Sequence, residues 1–363
     1  MEQTFKILLL FIVLTHISCR ENKNKTNTKN EKQAVDDYSA AIDSLIKTTN
    51  PRKFNGVVLI TQNGETKYFK EYGFSDFEKK TPIISNSNFR IQSNSKQITA
   101  VLVLKEAEKG NIDLESPIRK YLPKLEQTWA DTVTVHQLMN MSSGVLNIEG
   151  PLAFKPGTDF RYSNPAYGLL GKTIEAVTGD NYTEAANTLF KELGMTKTYC
   201  YEIDGVNPDL VNGYWVSNEE LEKVDFDSLN FTKESWANFV PAGGIISNPH
   251  DLNIWDTKLH NGDILKSETY NLMVNSEVVD SDYTFSNKQS NYGYGVNIHE
   301  GKPFKYIGHA GRGIGFVNLK IYVPEKKLDI IIMENVYDRD IDIVYHFEKE
   351  IRKIVMNSNL VKK

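Results

Sequence analysis

Two serines in this 363-residue chain are followed three positions later by a lysine: Ser93 with Lys96, and Ser44 with Lys47. Residues three apart share one face of a helix, so each pair places a hydroxyl beside an amine. The amine could take the hydroxyl proton and make the serine a nucleophile, and a serine near a helix N-terminus also offers its backbone N–H to an oxyanion hole. About two such patterns are expected by chance, so spacing alone does not decide. Ser44, in a surface-type helix pattern, serves as the control.

A second candidate is Tyr162-Ser163-Asn164, the single Tyr-x-Asn in the sequence. A tyrosine here could transfer a proton, and the amide of Asn164 could hold a neighbouring polar group. A structural interpretation competes, because Asn164 before Pro165 is a good helix N-cap followed by proline in the first turn. Tyr162, just outside that cap, would then be a packing aromatic.

The third candidate is Gly308-His309-Ala310-Gly311, in a strand-like stretch where glycines permit close approach of another backbone. Two other His-x-Gly patterns begin at His260 and His299, and both are typical of turns at the end of an element. A lone His-x-Gly is therefore weak evidence, and a surface histidine is its default explanation.

Strand patterns at both ends of the chain must position these residues. Residues 56–61 and 66–69 flank Asn63-Gly64, which predicts a two-strand hairpin. Strand-like segments return at residues 292–298, 315–323 and 328–333. Helical patterns dominate from about residue 95 to 260, and a last amphipathic helix is predicted over residues 340–355. Strands at both ends with helices between them predict a sheet interrupted by a helical region.

Composition excludes some classes of function. The chain carries 42 Lys and Arg against 47 Asp and Glu, a formal net charge of -5. It lacks the basic surplus that nucleic-acid binding needs, so no DNA or RNA partner is expected. No cysteine cluster, His-Glu-x-x-His or glycine-rich phosphate loop is present, so no metal or cofactor is expected either.

The residue pattern of the N-terminal segment predicts that the protein is exported. Lys6 and the apolar run Ile7 to Leu14 are typical of a secretory signal, and Ser18-Cys19 resembles a bacterial lipobox, after which Cys19 would be lipidated. His16 departs from that pattern, and an ordinary signal peptide is the alternative. Residues 20–34 are predicted to be a flexible tether, and residues 35–358 the catalytic domain. The expected location is the periplasmic or outer face of a bacterial membrane, held by the lipid anchor.

In this order, the three motifs resemble those of the serine β-lactamase and penicillin-binding protein superfamily, in its class C-like branch. The resemblance extends over residues 38–355 and includes FRIQSNSKQITA, VTVHQLMNMSSGV, FKPGTDFRYSNPAYGLLGKTIEAVTG, AGGIISNPHDLNIW and IGHAGRGIGF. It implies an α+β, β-lactamase-like fold with a five-stranded antiparallel sheet flanked by terminal helices. The sheet part would comprise residues 35–92 and 241–358, and the inserted helical part residues 93–240, with the site in the cleft between them.

The resemblance also implies catalytic roles. Ser93 would be the acylated nucleophile, Lys96 would take or polarise its proton, and Tyr162 would be the general acid or base. Asn164 would hold Lys96 and the substrate. Lysine and tyrosine have ordinary pKa values near 10.4 and 10, so either needs a shift of about three units to act as a base at pH 7.

Substrate binding would fall to His309, Gly311 and Arg312, with the backbone N–H groups of Ser93 and Arg312 forming the oxyanion hole. His309-Ala310-Gly311 stands where many relatives carry Lys-Thr-Gly, and the Glu-x-x-Leu-Asn of the class A branch is absent. Histidine there is usual among esterases and D-stereospecific peptidases. Its ordinary pKa near 6.5 would make any attraction for a substrate carboxylate fade as pH rises.

The leading hypothesis is an exported serine hydrolase that cleaves an ester, a D-amino-acid peptide or a related amide through an acyl-Ser93 intermediate. One alternative is a penicillin-binding or cell-wall-peptide-sensing protein with a long-lived acyl complex. The other is a class C-like β-lactamase. The loop aromatics Tyr214, Trp215, Phe231 and Trp236 are expected to pack rather than to line a substrate pocket.

Overall fold

The first two strands form where the sequence predicts a hairpin. Strand β1 (Gly56–Gln62) is buried along almost its whole length, and β2 (Glu65–Tyr72) returns antiparallel to it. Asn63 and Gly64 join them with φ of 54° and 79°, a left-handed conformation that these two residue types tolerate. The predicted hairpin is confirmed.

The structure is a computed structural model that describes residues 36–217, 220–276, 278–280, 289–301 and 304–362. The predicted signal segment, its lipidation site Cys19 and the tether lie outside these residues. The helices are α1 (Ser39–Leu45), α2 (Ser95–Glu108), α3 (Val135–Met139), α4 (Asn164–Thr178), α5 (Tyr182–Leu193), α6 (Lys233–Gly243), α7 (Pro249–His260), α8 (Ser267–Val274), α9 (His346–Met356) and α10 (Asn359–Lys362). The remaining strands are β3 (Phe74–Asp76), β4 (Thr81–Pro82), β5 (Phe89–Arg90), β6 (Tyr199–Cys200), β7 (Tyr214–Ser217), β8 (Glu220–Lys223), β9 (Ile245–Ser247), β10 (Val279–Asp280), β11 (Ser290–Tyr292), β12 (Asn297–His299), β13 (Tyr306–Gly313), β14 (Phe316–Val323), β15 (Leu328–Glu334) and β16 (Val336–Asp338).

The main sheet joins the two ends of the chain in the order β10-β11-β12-β13-β14-β15-β1-β2, and its strand pairs are antiparallel. The predicted α+β class is therefore confirmed, but the expected number of five strands is too small. Eight strands belong to this sheet among the described residues. Residues 292–298 do not form one strand, because the Gly293 N–H donates to the Val296 carbonyl and Gly295 has φ 69°. That turn divides the segment between β11 and β12.

The central strands are buried on both faces, which explains their continuous apolar runs. In β1, Val57 and Leu59 pack with the helical region, whereas Val58 and Ile60 pack with Phe347 of α9 and the other terminal helices. This is the two-residue alternation of a strand. The sheet thus has an inner face toward the helical region and an outer face toward the terminal helices.

The predicted helices form with small shifts of their ends. The helix predicted for residues 340–355 begins only at His346, because a turn in which the Val344 N–H donates to the Asp340 carbonyl precedes it. Gly179 and Gly194 end α4 and α5 in the left-handed conformation, which glycine adopts without strain at a helix end.

A buried polar cluster fastens α7 to the inner face of the sheet. Lys320 of β14 donates hydrogen bonds to Asp256 of α7 and to Gln97 of α2. Asp329 of β15 accepts from Asn253 of α7. Asp256 Oδ2 and Asp329 Oδ1 are buried without another partner among the described residues, and the two carboxyl groups interact. Burial and then the charge of Asp256 raise the pKa of Asp329 well above its ordinary range, so the pair is expected to share one proton.

We expect Asp329→Asn to flatten the pH dependence of stability. A raised carboxyl pKa in the folded state contributes stability that is complete below the unfolded value near 3.9 and is lost as pH rises through the folded value. The asparagine imitates the protonated acid, so the wild type should lose up to about 1.4 kcal/mol per pH unit relative to Asp329→Asn above pH 4. Urea unfolding from pH 4 to 9 measures this difference.

Asp256→Asn is the matched comparison. It leaves Lys320 buried without its ion-pair partner, so it should cost about 3 kcal/mol or more at every pH. Parallel stability curves for wild type and Asp329→Asn would refute the shared proton.

Candidate active site

A strained turn presents Ser93 at the head of α2. Gln92 has φ 51°, and a 3-10 turn over Gln92–Asn94 leads directly into the helix. A non-glycine residue in the left-handed region costs about 1 kcal/mol. The Gln92 side-chain amide donates to the Gly313 carbonyl at 2.7 Å, which fixes the turn against β13. Ser93 is left half-buried at the position of the predicted cleft.

Lys96 is fully buried, and its amine lies close to three oxygen atoms. Nζ lies 3.2 Å from Ser93 Oγ, 2.8 Å from Asn164 Oδ1 and 2.7 Å from the Ala242 carbonyl. The Ala242 carbonyl is one of the last in α6, where helix carbonyls lack intrahelical partners. No carboxylate is among the hydrogen-bond partners of Lys96 in the described residues. Burial therefore lowers its pKa well below the ordinary value.

This geometry gives a neutral Lys96 one possible arrangement. The Asn164 Oδ1 and the Ala242 carbonyl can only accept, so they take the two N–H groups of a neutral amine. Its lone pair is then left to accept the hydroxyl proton of Ser93. The negative end of the α6 dipole favours the ammonium, but such an effect is at most about 2 kcal/mol and burial outweighs it.

Close helix packing brings α6 to this point. A Cβ on Gly171 of α4 would lie 2.3 Å from the Pro241 ring, and one on Gly168 would lie 2.7 Å from the Asn238 carbonyl. Both are shorter than a normal contact, so only glycine permits this approach. On another side, a Cβ on Gly295 would lie 2.6 Å from the Lys96 carbonyl. Three segments thus close around the lysine.

The competing structural interpretation of Asn164 is wrong. Ser163, not Asn164, is the N-cap of α4, and its Oγ accepts from the Ala166 N–H at 3.1 Å. Asn164 is the first helical residue, and its side chain is free to accept from Lys96.

Tyr162 lies at the mouth of the cleft beside this amine. Its ring centroid is 4.7 Å from Lys96 Nζ, and 37% of the residue is exposed. The ring is 6.1 Å from that of His309 and 6.1 Å from that of Tyr292. A phenol between the lysine and the solvent could pass protons to a substrate bound in the cleft.

Strand β13 forms the opposite wall. His309 and Gly311 point to the inner face, and a Cβ on Gly311 would lie 2.7 Å from the Ile91 carbonyl and 3.1 Å from Ser93 N. Glycine is needed there for the strand to approach the serine. His309 is buried, and desolvation, with the nearby Lys96, lowers its pKa to about 3. The expectation that its charge fades above pH 6 is therefore wrong, because the ring is already neutral.

The side chain of Arg312 points away from the cleft. It alternates with Gly311 along β13, and its guanidinium lies 5.7 Å from the ring centroid of Tyr345, next to α9. Ala310, on the same side of the strand, packs with Tyr345 and Val344. The guanidinium cannot substitute for a missing cation in the cleft. The expected role of the Arg312 backbone N–H in the oxyanion hole stays a prediction.

The decoy motifs lie elsewhere. Ser44 is exposed on α1, as expected for a control. His260 ends α7 and His299 ends β12, as predicted, but both are buried, and they stack on Tyr322 and Tyr306 respectively. The structure therefore brings together Ser93, Lys96, Tyr162, Asn164, His309 and Gly311, while their catalytic and binding roles remain predictions.

The loop aromatics pack as expected, with Tyr214 against Phe77 and Trp215 against Tyr337. Phe231 and Trp236 belong to a cluster with Tyr201 and Phe226. The Arg90 guanidinium lies 3.7 Å from the ring centroid of Tyr201 inside that cluster. These rings surround a buried arginine of β5, so they are structural.

Sequence reasoning missed three groups of this site. The Ala242 carbonyl and the positive φ of Gln92 carry no sequence signal of their own. Tyr292 does have one, since it opens Tyr292-Gly293-Tyr294-Gly295, a pattern of glycines typical of close backbone approach.

The fold and the family model that matches the chain define a serine hydrolase. The family model described as Beta-lactamase matches residues 40–344, so the chain belongs to the β-lactamase family. The predicted superfamily is thereby confirmed.

Three similar proteins illustrate the range of this family. The chain is 27% identical over 226 residues to Protein flp of Staphylococcus aureus (strain N315), which is 54% of this chain and 44% of that protein. The match thus spans less than half the length of that relative. It is 23% identical over 337 residues to Penicillin-binding protein 4* of Bacillus subtilis (strain 168), covering 81% of this chain and 71% of that one. The D-amino acid amidase from Ochrobactrum anthropi SV3, solved with L-phenylalanine amide, superposes with a TM-score of 0.73 at 22% identity, covering 88% and 98% of the two chains. That identity shows a shared fold alone.

A serine-directed fluorophosphonate should label the wild type and Ser44→Ala but not Ser93→Ala. Lys96→Ala should slow labelling by about 100-fold, because it removes the group that accepts the hydroxyl proton. Mass spectrometry of the labelled peptide and the labelling rate test both expectations. Labelling of Ser93→Ala at the wild-type rate would contradict the assignment of the nucleophile.

Proposed function

We propose that the protein hydrolyses an ester, a D-amino-acid peptide or a related amide through an acyl-Ser93 intermediate. The observation that carries this proposal is the buried Lys96 amine, whose two acceptor partners leave a lone pair for the Ser93 hydroxyl. A serine paired with such a base has the arrangement that activates a nucleophile.

Acylation then transfers one proton from Ser93 to the leaving group by way of Lys96 and Tyr162. Lys96 takes the hydroxyl proton as Ser93 Oγ bonds to the substrate carbonyl carbon. The carbonyl oxygen becomes an oxyanion, stabilised by the backbone N–H groups of Ser93 and Arg312. When the intermediate collapses, the bond to the leaving group breaks, and Tyr162 protonates that group and regains a proton from Lys96. The amine is neutral again.

Deacylation uses the same groups in reverse. Water attacks the acyl carbon, its proton passes to Tyr162, and the phenol proton of Tyr162 passes to Lys96. Collapse of the second intermediate breaks the bond to Ser93 Oγ, and the proton returns to the serine. The products are the free acid and the unmodified enzyme.

Neutral substrates suit this cleft best. The ring of His309 is uncharged at neutral pH, and the guanidinium of Arg312 lies on the other face of β13. Neither can attract a substrate carboxylate, which a lysine on the same strand would do. The fold shared with a D-amino acid amidase is compatible with an amide substrate.

A receptor is the second candidate, and the similarity to a penicillin-binding protein favours it. The same serine could form an acyl complex that water releases only slowly. Turnover separates the two, because a receptor stops after one equivalent of product.

We expect p-nitrophenyl esters of short acids to be turned over for many equivalents, with a kcat/KM above that of nitrocefin, which carries a carboxylate. The ratio of kcat/KM for the ester to kcat/KM for nitrocefin should not change from pH 6 to 9, since His309 remains neutral throughout that range. His309→Lys should lower this ratio by about tenfold. A cation near 4 Å from a carboxylate attracts it by up to about 4 kcal/mol before the cost of desolvation is subtracted. Stopped-flow absorbance measures both the burst and the steady rate.

Ser93→Ala provides the background rate for both substrates. A burst of one equivalent with no further product would favour the receptor. Nitrocefin turnover above ester turnover, unchanged in His309→Lys, would instead favour a β-lactamase.

We also propose that the protein is exported and anchored through lipidated Cys19, on the strength of its short apolar segment and the Ser18-Cys19 pair. In the part of the chain that the structure describes, no helix has the length and apolar character needed to cross a membrane. Several acyl chains are needed for stable retention, because one binds only marginally.

Cys19→Ala should shift the protein from the membrane pellet to the soluble fraction. Cys200→Ala is the matched control, since that thiol is buried in the folded domain and cannot carry a lipid. Detergent-phase partitioning and intact mass of the wild type measure the anchor. Equal partitioning of wild type and Cys19→Ala would favour an ordinary signal peptide.

A further inference from the structure

Tyr292 of β11 is fully buried behind the cleft and contacts both of its walls. Its Oη lies 3.0 Å from His309 Nε2 on β13. Its ring centroid lies 6.1 Å from that of Tyr162 and 5.6 Å from that of Phe160, two residues earlier in the chain. One side chain therefore touches the histidine and the tyrosine of the predicted site.

The hydrogen bonds of His309 fix its tautomer. Nδ1 lies against the Ala310 carbonyl, which can only accept, so Nδ1 carries the proton and donates. In the neutral ring Nε2 is then an acceptor, and the Tyr292 hydroxyl donates to it. Burial raises the pKa of Tyr292 well above its ordinary range, so the hydroxyl keeps its proton. Both ring nitrogens are thus occupied within the protein.

The ring of Tyr292 supports Tyr162. The two rings meet edge to face, at an interplanar angle of 87°, and Tyr162 in turn lies over the Lys96 amine. Edge-to-face contacts between aromatic rings are directional, so they favour one placement of the Tyr162 ring.

We propose that Tyr292 is a positioning residue for His309 and Tyr162. Its hydroxyl keeps His309 Nε2 hydrogen-bonded as an acceptor, and its ring orients Tyr162. The cleft therefore selects substrates without a carboxylate facing β13. This inference rests on the hydrolysis proposed above and identifies the substrate class of the same site. It separates two tasks of one side chain: the hydroxyl sets selectivity through His309, and the ring sets the catalytic rate through Tyr162.

Four groups face His309 and would govern its protonation. Tyr292 and Tyr162 contact its ring, Lys96 approaches from α2, and Lys320 lies opposite it in the register of β14. Lys320, and Lys96 whenever it carries a proton, oppose a further positive charge. Removal of the Tyr292 hydroxyl leaves Nε2 free to accept a proton or a substrate donor, while this opposition remains.

Tyr292→Phe removes the hydroxyl and keeps the ring. The butyrate esters of phenol and of meta-hydroxybenzoic acid form a matched pair that differs by one carboxylate. At pH 5.5 the variant should raise kcat/KM for the anionic ester relative to the neutral ester by about threefold or more, because a bound carboxylate raises the pKa of His309 from about 3 and the freed Nε2 can then take a proton. At pH 8.5 the ratio should equal that of wild type.

The imidazole nitrogen resonances of His309, assigned by their loss in His309→Gln, give a readout independent of activity. Wild type should show a protonated Nδ1 and a hydrogen-bonded Nε2, and Tyr292→Phe should shift Nε2 toward an unbonded nitrogen. Tyr292→Leu also removes the ring. It should lower kcat about tenfold below that of Tyr292→Phe while KM changes little, because no ring then holds Tyr162 in its orientation.

Tyr270→Phe is the matched control. Tyr270 Oη lies 2.7 Å from His260 Nδ1, a similar tyrosine-histidine pair outside the cleft, so its loss should leave the ester ratio and the His309 resonances unchanged. An unaltered Nε2 resonance in Tyr292→Phe would overturn the proposal, as would an ester ratio equal to wild type at pH 5.5. Failure of the wild type to turn over either ester would count against the proposed function, and the resonances would still decide the role of Tyr292.

Discussion

The site depends on a buried lysine with no carboxylate among its hydrogen-bond partners in the described residues. An ammonium taken out of water is costly unless it is paired, and such a group tends to become neutral instead. Every element around Lys96 meets this constraint: α4 supplies the Asn164 amide, α6 supplies a terminal carbonyl, and Gly295 lets the next segment lie directly against the lysine backbone. Two acceptors take the two N–H groups of a neutral amine, and the lone pair on Lys96 Nζ is left to accept from the Ser93 hydroxyl.

A second buried lysine, Lys320, is paired with a carboxylate and shows the opposite outcome. Lys320 lies on β14 opposite His309, and it donates to Asp256. Its charge is paired, so it fastens α7 to the sheet rather than acting on a hydroxyl. The two lysines have similar burial and differ in the presence of a carboxylate. That difference separates a chemical role from a structural one, and the spacing of residues in the sequence does not reveal it.

The sequence predicted the parts of the fold that local chemistry determines. Asn63-Gly64 specifies its hairpin because both residues tolerate positive φ, and the β-branched runs of β1 and β15 specify buried strands. The division of residues 292–298 into two strands depends on a turn in which Gly295 also lies against the Lys96 backbone, so periodicity could not show it. Asn164 and Ser163 are both good caps, and only the position of Lys96 decides which of them caps α4. Ser44 and Ser93 share one motif, and the structure distinguishes them by their lysines, because Lys47 is exposed whereas Lys96 is buried among acceptors.

The charge state of the cleft explains why a partly exposed tyrosine stands at its mouth. With Lys96 and His309 both neutral, the resting site carries no formal charge on these groups, and the first proton transfer of the proposed mechanism creates an ammonium in a buried position. That state is unfavourable unless the oxyanion forms nearby, so the two charges must appear and disappear together. A proton that remained on Lys96 would hold the site in this state. Tyr162, whose ring is 4.7 Å from the amine and whose surface reaches solvent, is placed to carry the proton to the leaving group and restore the neutral lysine. In the proposed mechanism, the desolvation that favours a neutral Lys96 therefore also requires a proton carrier between it and the substrate.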